Sequence, residues 1–166
     1  MTPEFRQDLV KLAPRLRRFA YSLTNHRADA DDLVQSAYER ALKNAESFRV
    51  GTRLDSWLYR IIQNLWIDQR RRLATRGTEV DPVDAGLSDG GAAAGAPAAR
   101  LMLAQVREAM AELPDGQRAV ISLVAIEGLS YKEAAEALEI PVGTVMSRLA
   151  RARERLAPLT ADAGRA

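Results

Sequence analysis

The chain contains no cysteine and only one histidine, His26. The absence of cysteine excludes disulfide bonds, a thiol nucleophile and a zinc site with thiolate ligands. A single histidine excludes any metal motif that needs two histidine ligands. The longest apolar runs, such as Leu123–Ile126, are far shorter than the ~18 residues expected of a membrane span. The charged start MTPEFRQDLV lacks the apolar core of a signal peptide. We therefore expect a soluble, cytoplasmic protein with no direct membrane insertion.

Common enzyme signatures are also absent from the sequence. It contains neither a GxxxxGK phosphate-binding loop nor an HExxH zinc motif. His26 is the only side chain whose ordinary pKa suits a base at neutral pH. It lies in a predicted loop, where a surface histidine is the better interpretation. We expect no catalytic residue, no metal site and no cofactor.

Charge is unevenly distributed along the 166 residues, although the net charge is only +2. Residues 1–76 carry 15 basic and 9 acidic side chains, a net charge of +6. Residues 77–98 carry four acids and no base, and residues 99–166 carry 9 of each sign. Within that last part, residues 142–156 have a net charge of +3 and residues 99–141 of −3. Basic regions are typical of proteins that bind polyanions, although a solvated helix surface gives the same pattern.

Hydrophobic periodicity predicts helices throughout the chain, except in residues 77–98. In the first segment Pro14 is expected to kink or divide a helix that ends before Asn25. Two further helices are expected at about Ala28–Asn44 and Leu54–Leu73. Later helices are predicted around Leu103–Leu113, at Gln117–Ile126, from the capping-box sequence Ser130–Glu133 onward, and at Val142 to about Leu156.

No segment has a persistent strand pattern, so the predicted class is all-α, with two small helical domains joined by a flexible linker. The Gly-, Ala-, Asp- and Pro-rich composition of residues 77–98 is typical of such a linker. The expected divisions are an N-terminal domain at 1–76, the linker at 77–98, a C-terminal domain at 99–157 and a tail at 158–166.

The last two predicted helices form a helix-turn-helix. A short capped helix, the turn Glu139-Ile140-Pro141 and a longer basic helix match this DNA-binding arrangement. Arginine near the start of such a helix can pair with guanine, and threonine or serine can contact bases or phosphates. The candidate DNA-reading residues are Thr144, Ser147, Arg148, Arg151 and Arg155. An ordinary helical hairpin with solvated arginines remains the alternative.

The third predicted helix has a second candidate nucleic-acid surface. Opposite its apolar face lies a polar and aromatic stripe, with Tyr59 and Trp66 on its flank. Aromatic rings stack on unpaired bases, asparagine bonds base edges and arginine pairs with phosphate. Either tryptophan, Trp66 in particular, can instead be a core residue. The residues of the stripe are Trp57, Arg60, Asn64, Asp68 and Arg71.

Three segments in this order resemble a bacterial sigma factor of the extracytoplasmic-function (ECF) group in the sigma-70 family. They are DADDLVQSAYERAL, FRVGTRLDSWLYRIIQNLWIDQRRR and LPDGQRAVISLVAIEGLSYKEAAEALEIPVGTVMSRLARARERL. The resemblance covers roughly residues 5–76 and 99–157 and implies sigma region 2 followed by sigma region 4. It implies a transcription initiation factor that directs core RNA polymerase to promoter DNA, controlled by an anti-sigma factor.

The resemblance also implies roles for individual residues. The clamp helices of the polymerase largest subunit would contact Asp31, Asp32, Gln35 and Glu39. A flipped base of the minus-ten element would be captured by the loop containing Ser47, Phe48 and Arg49. The strand-opening surface would include Arg53, Trp57, Arg60, Asn64 and Arg71. The minus-thirty-five element would be read by Thr144, Ser147, Arg148, Arg151 and Arg155, and the helices before them would meet the polymerase flap.

Other interpretations remain open from the sequence. A sigma-like decoy would bind an anti-sigma factor without contacting DNA, but it would not need the basic and aromatic surfaces present here. A simple helix-turn-helix repressor would leave the N-terminal domain unexplained. The linker reaches ~70–80 Å when extended, against ~68–72 Å for two turns of DNA. It would therefore be largely stretched when both domains engage one promoter.

Overall fold

The computed structural model describes residues 2–77 and 96–163. Most of the predicted linker, residues 78–95, and the end of the predicted tail, residues 164–166, lie outside the described residues. All regular secondary structure within the described ranges is helical, which confirms the all-α class. The helices are α1 Pro3–Thr24, α2 Arg27–Lys43, α3 Leu54–Thr75, α4 Pro97–Glu112, α5 Asp115–Ile121, α6 Tyr131–Leu138 and α7 Val142–Ala163. A 3-10 turn occupies Ala45–Ser47, and a π-helical turn follows α5 at Ser122–Ile126.

Helix α1 is continuous through Pro14, so of the two expected effects of this proline, a kink or a division, the division does not occur. Pro14 lies on the exposed side of the helix, while Leu9 and Leu16 are buried on either side of it along the chain. Packing of both halves against α2 outweighs the hydrogen bond that proline removes. The helix ends at Asn25, which adopts the left-handed conformation at φ 52° and donates its amide to the Tyr21 carbonyl.

The predicted capping box of α6 is confirmed. The Ser130 hydroxyl accepts a hydrogen bond from the Glu133 amide at 3.1 Å, and the Glu133 carboxylate accepts one from the Ser130 amide, also at 3.1 Å. Helix α6 ends at Glu139, in the left-handed conformation at φ 55°, and α7 begins three residues later, at Val142. Helix α7 runs well beyond the expected end at Leu156.

Two other helix boundaries also differ from expectation. Helix α5 begins at Asp115, directly after Pro114, rather than at Gln117. Helix α4 begins at Pro97, inside the segment predicted as linker. Proline is favoured in the first turn of a helix because its missing amide proton is not needed there. No helix within residues 2–77 and 96–163 is long and apolar enough to cross a membrane.

Helices α1–α3 pack on one another, as do α4–α7, and the two groups also pack together. Helix α3 lies against α6, while α1 contacts α4, α5 and the π-helical turn. Because α3 is covered from two sides, Tyr59 is fully buried, so its placement on the flank of the stripe is wrong. Trp66 is 8% exposed, which agrees with the alternative that it is a core residue. Tyr131, in the first turn of α6, is exposed.

Candidate nucleic-acid interface

The predicted strand-opening residues follow one side of α3. Arg53, immediately before the helix, is exposed, as are Asn64 and Arg71, whereas Trp57 and Arg60 are half-buried. The half-buried state of Arg60 arises from the C-terminal helices, because α6 packs across the first half of this surface. The structure therefore brings the predicted minus-ten surface into contact with the first helix of the helix-turn-helix.

Arg53 bridges two carboxylates from the two helix groups. Its Nη2 lies 2.6 Å from Asp55 Oδ2, and its Nη1 lies 2.5 Å from Glu133 Oε2 on α6. The hydrogen bond to Asp55 and the charge of Glu133 raise the pKa of Arg53. Burial disfavours the charged form of Asp55, but the bonds from Arg53 and the Ser56 amide outweigh it and lower its pKa. The Ser130 amide and then Arg53 lower the pKa of Glu133.

Arg60 makes a second contact with α6. Its Nη2 donates a hydrogen bond of 2.5 Å to the Glu136 carbonyl, in the last turn of that helix. Its Nε lies 3.4 Å from Glu139 Oε1. A cation at a helix C-terminus interacts favourably with the carbonyl end of the helix dipole. Arg53 and Arg60 are therefore both occupied by partners at the two ends of α6.

The loop predicted to capture a flipped base is organised around an aromatic cluster. The Phe48 ring lies 5.7 Å from Phe5 and 5.3 Å from Trp57, measured between ring centroids. Phe48 is half-buried in this cluster, whereas its neighbours Ser47 and Arg49 are exposed. The loop is held by local bonds to backbone carbonyls, such as that from Ser47 Oγ to Asn44 at 2.7 Å. The structure therefore places Phe48 beside Trp57.

A buried carboxylate that the sequence analysis missed lies behind this surface. Glu127 follows the π-helical turn, and its side chain is completely buried. It accepts two hydrogen bonds from Arg18, at 2.8 and 2.9 Å, and one from the Tyr59 hydroxyl at 3.0 Å. Arg15 Nε lies 3.6 Å away. Burial and the negative charge of Glu127 raise the pKa of Tyr59, so its hydroxyl stays protonated and donates.

No periodicity rule identifies Glu127, because its partners lie far away along the chain. Arg18 is 109 residues from it and Tyr59 is 68 residues from it. The available signal was compositional: residues 1–76 are basic and residues 99–141 are acidic. Two further contacts join these parts of the chain, and the first of them follows the same division of charge. Arg70 pairs with Asp115 at 3.2 Å, and Arg118 donates to the Leu23 carbonyl at 2.6 Å.

The candidate DNA-reading residues do not share one environment on α7. Ser147 and Arg151 are exposed, and Thr144 and Arg148 are half-buried. The Arg148 guanidinium packs against Gly116 of α5, where an added Cβ would lie 2.8 Å from its Nη1. Glycine at this position thus lets the arginine lie across the start of α5. The sequence analysis expected Arg148 to point outward with the others.

Arg155 and Met146 complete the outer surface of α7. Arg155 is exposed and borders a shallow depression with Ala109, Glu112 and Leu113. Met146, which the sequence analysis did not select, is 53% exposed beside Ser147. An exposed apolar side chain can contact a thymine methyl group in the major groove. The sequence analysis did not identify Met146 because it selected residues by the spacing of the arginines, which indicates only charged positions.

The residues expected to meet polymerase lie on the outer face of α2. Asp31, Asp32, Gln35 and Glu39 are all exposed. Helix α2 packs on α1 and α3, and its most substantial contacts include none with α4–α7. Asp31 Oδ1 lies 3.8 Å from Arg17 Nε, a contact that both exposed side chains make at the surface. This acidic face therefore remains uncovered, while α6 packs across the first half of the basic face of α3.

Comparison with known proteins identifies the family. A family model for Sigma-70 region 2 matches residues 9–76, and one for Sigma-70 region 4 matches residues 103–156. The chain is 37% identical over 159 residues to the ECF RNA polymerase sigma factor EcfG of Rhodopseudomonas palustris, covering 96% of this chain and 86% of that protein. It is 33% identical over 159 residues to the ECF RNA polymerase sigma factor SigW of Bacillus subtilis, covering 90% and 85% of the two chains.

Solved structures show the same similarity. The sigma factor RpoE from Bartonella quintana, in complex with the anti-sigma factor NepR, has a TM-score of 0.80 and 32% identity, covering 96% of this chain and 98% of that one. CnrH in complex with the cytosolic domain of CnrY has a TM-score of 0.69 and 30% identity, covering 95% and 88%. The chain therefore belongs to the sigma-70 family. Within that family it is a member of the ECF group and a transcription initiation factor.

Proposed function

We propose that this chain binds core RNA polymerase, directs it to specific promoters and opens the minus-ten element. One observation carries the proposal. The chain has two candidate nucleic-acid surfaces, on α3 and α7, and a separate exposed acidic face on α2. The acidic face would contact the clamp helices of the largest subunit, and α4–α7 would meet the flap. The protein would act in the cytoplasm, where the polymerase works.

Each DNA surface would have a separate task. Arg53, Arg60 and Arg71 would pair with phosphates, while Trp57 would stack on an unpaired base and Asn64 would bond a base edge. Stacking is worth ~1–3 kcal/mol per base, comparable with the few kcal/mol needed to unpair one. On α7, Ser147 and Arg151 would face the major groove of the minus-thirty-five element. No chemical step is assigned to this chain, because synthesis belongs to the polymerase.

Run-off transcription tests this function. Core polymerase would be assayed with and without the chain on a library of promoter fragments selected by the holoenzyme. We expect specific start sites only when both proteins are present. The double variant Asp31→Asn, Asp32→Asn removes two charges from the acidic face of α2 and should lose polymerase binding in a pull-down. The control Glu46→Gln, at an exposed residue outside α2, should keep that binding. No specific transcript in any holoenzyme reaction would contradict the proposal.

Control by an anti-sigma factor is a second part of the proposal. The solved relative RpoE is in complex with the anti-sigma factor NepR, and CnrH is in complex with the cytosolic domain of CnrY. Affinity purification of the tagged chain from native lysate, followed by mass spectrometry, should recover a small partner whose addition blocks transcription. Recovery of polymerase subunits alone would count against it. A decoy, the alternative function, would recover the small partner but support no transcription.

A further inference from the structure

We propose that Phe5, in the first turn of α1, is a positioning residue for the capture of a flipped minus-ten base. It acts through the other two rings of the aromatic cluster, Phe48 in the loop before α3 and Trp57 in the first turn of α3. The inference rests on the proposed function, in which this loop and Trp57 receive unpaired bases. It adds a third segment of the chain, the start of α1, to that site.

The three rings of the aromatic cluster all contact one another. The Phe5 centroid lies 5.7 Å from that of Phe48 and 6.5 Å from that of Trp57. The Phe48 and Trp57 centroids are 5.3 Å apart, and the three pairs of ring planes are tilted by 46°, 56° and 47°. Aromatic pairs favour tilted arrangements with centroids about 4.5–7 Å apart. Each ring therefore has two aromatic neighbours that oppose its rotation.

The aromatic cluster attaches the loop to the helices. Phe48 is half-buried, whereas Val50, two residues later, is 97% exposed. The Ser47 hydroxyl donates to the Asn44 carbonyl at 2.7 Å, within the same segment. A local bond of this kind fixes the shape of the loop but not its position against the helices. The ring contacts of Phe48 supply that position.

Phe5 is itself held firmly at the start of α1. Its amide donates to the hydroxyl of Thr2, the N-cap of the helix, at 3.3 Å. Its half-buried side chain packs against the core, on the face of α1 that also carries Leu9 and Leu16. Helices hold a functional group more precisely than loops do, because packing fixes the rotamers of their side chains. Phe5 therefore gives the loop a fixed neighbour.

Base capture depends on this arrangement because a base stacks on the face of a ring. A ring or loop that moves freely must be ordered when the base binds, and this ordering weakens binding. With Phe5 in place, Phe48 and Trp57 are ordered before the base arrives. Without it, a smaller fraction of the chains holds these two rings in the arrangement that binds. The apparent affinity falls by that fraction, about tenfold if about one chain in ten keeps the arrangement.

The test uses the holoenzyme and a labelled, forked promoter fragment whose non-template minus-ten bases are single-stranded. An abasic residue replaces each of these bases in turn, and fluorescence anisotropy measures binding. With the wild type, the captured base is the one whose removal weakens binding most. We expect Phe5→Ala to bind the intact fragment about tenfold less tightly than the wild type does. It should bind the fragment that lacks the captured base as tightly as the wild type does, because the two changes remove the same interaction.

Two further variants separate positioning from stability. Leu12→Ala also removes a half-buried apolar side chain from the core face of α1, but outside the aromatic cluster, and should keep the wild-type response to the abasic residue. Phe5→Tyr keeps the ring and should also keep that response. If circular dichroism shows that Phe5→Ala loses helix, Phe5→Leu takes its place, because leucine keeps an apolar side chain without a ring.

A merely structural role for Phe5 would weaken binding of every fragment equally. That result, or a wild-type response of the Phe5 variant to loss of the captured base, would overturn the inference. So would a wild type that transcribes but responds to no abasic residue. Run-off transcription by the wild type reports separately on the proposed function, since the absence of any specific transcript contradicts that function whatever the variants do.

Discussion

Arg18 on α1 and Glu127, 109 residues further along the chain, form a two-point ion pair with distances of 2.8 and 2.9 Å. Their hydrogen bonds raise the pKa of Arg18, because the guanidinium is bound to a carboxylate that water does not reach. The pair lies where the helices of region 2 meet those of region 4. The two sigma regions are thus joined by a specific, buried ion pair.

Acidification should weaken the closed form of the chain, in which α4–α7 pack on α1–α3. The pKa of Glu133 is lowered from an ordinary 4.5 by the Ser130 amide and by Arg53. A carboxylate with a lowered pKa stabilises the closed form above its ordinary pKa, and that contribution is lost as the pH falls through the lowered value. Scattering measured from pH 7 down to about pH 3 should show the radius of gyration rising below 4.5. Glu133→Gln should show a smaller rise, and an identical curve for the variant would contradict this origin.

Arg118→Met should destabilise the fold by about 3 kcal/mol, because three acceptors lose a charged donor. Arg118 is 6% exposed and donates to the carbonyls of Leu23, Ala111 and Leu113. Burial lowers its pKa, with Asp115 opposing that effect. Urea unfolding followed by circular dichroism measures the loss. The exposed control Arg153→Met should unfold within about 0.5 kcal/mol of the wild type.

Ser130→Ala should cost about 1 kcal/mol, the usual effect of losing a helix N-cap. The serine hydroxyl caps α6, which packs on both the recognition helix α7 and α3. Thermal unfolding should show a lower midpoint for Ser130→Ala than for Ser130→Thr, which keeps a hydroxyl acceptor. Equal midpoints for the two variants would show that the capping hydrogen bond does not contribute to the stability of the fold.

Arg151→Ala should weaken binding to a minus-thirty-five duplex and reduce the salt dependence of that binding by about one ion, as expected for loss of a phosphate contact. Arg151 is exposed on the outer face of α7. Arg148→Ala should also weaken duplex binding, and both variants should keep polymerase binding in a pull-down. Titrations at several salt concentrations measure the slope of the logarithm of the binding constant against the logarithm of the salt concentration. If Arg151→Ala leaves this slope unchanged, Arg151 does not contact a phosphate.

Local patterns predicted much of the helical framework because each depends on nearby residues. The capping box at Ser130 and Glu133 formed as the spacing predicted. Buried positions on α7, such as Val145 and Leu149, followed the helical period. Pro14 does not divide α1 because its local penalty is outweighed by packing on both sides, which a single segment does not show.

The candidate sites were predictable to a lesser degree. The sequence placed Asp31, Asp32, Gln35 and Glu39 on one helix face, and all four are exposed. It also selected Arg148, but the space above Gly116 that accepts its guanidinium exists only when α5 and α7 pack together. The side chain of an arginine is long enough to follow such space, so its direction depends on a neighbour that periodicity does not identify.

The sequence by itself determined the helices, the division of charge and the residue types that suit polymerase and DNA. Its composition already separated a basic N-terminal part from the acidic residues 99–141. Only the tertiary structure decided that these charges meet, that Tyr59 is buried, and that Glu127 joins Arg18 across the chain. The physical reason is that helix formation depends on neighbours a few residues away, whereas an ion pair forms only where the packed fold brings its two charges together and excludes water.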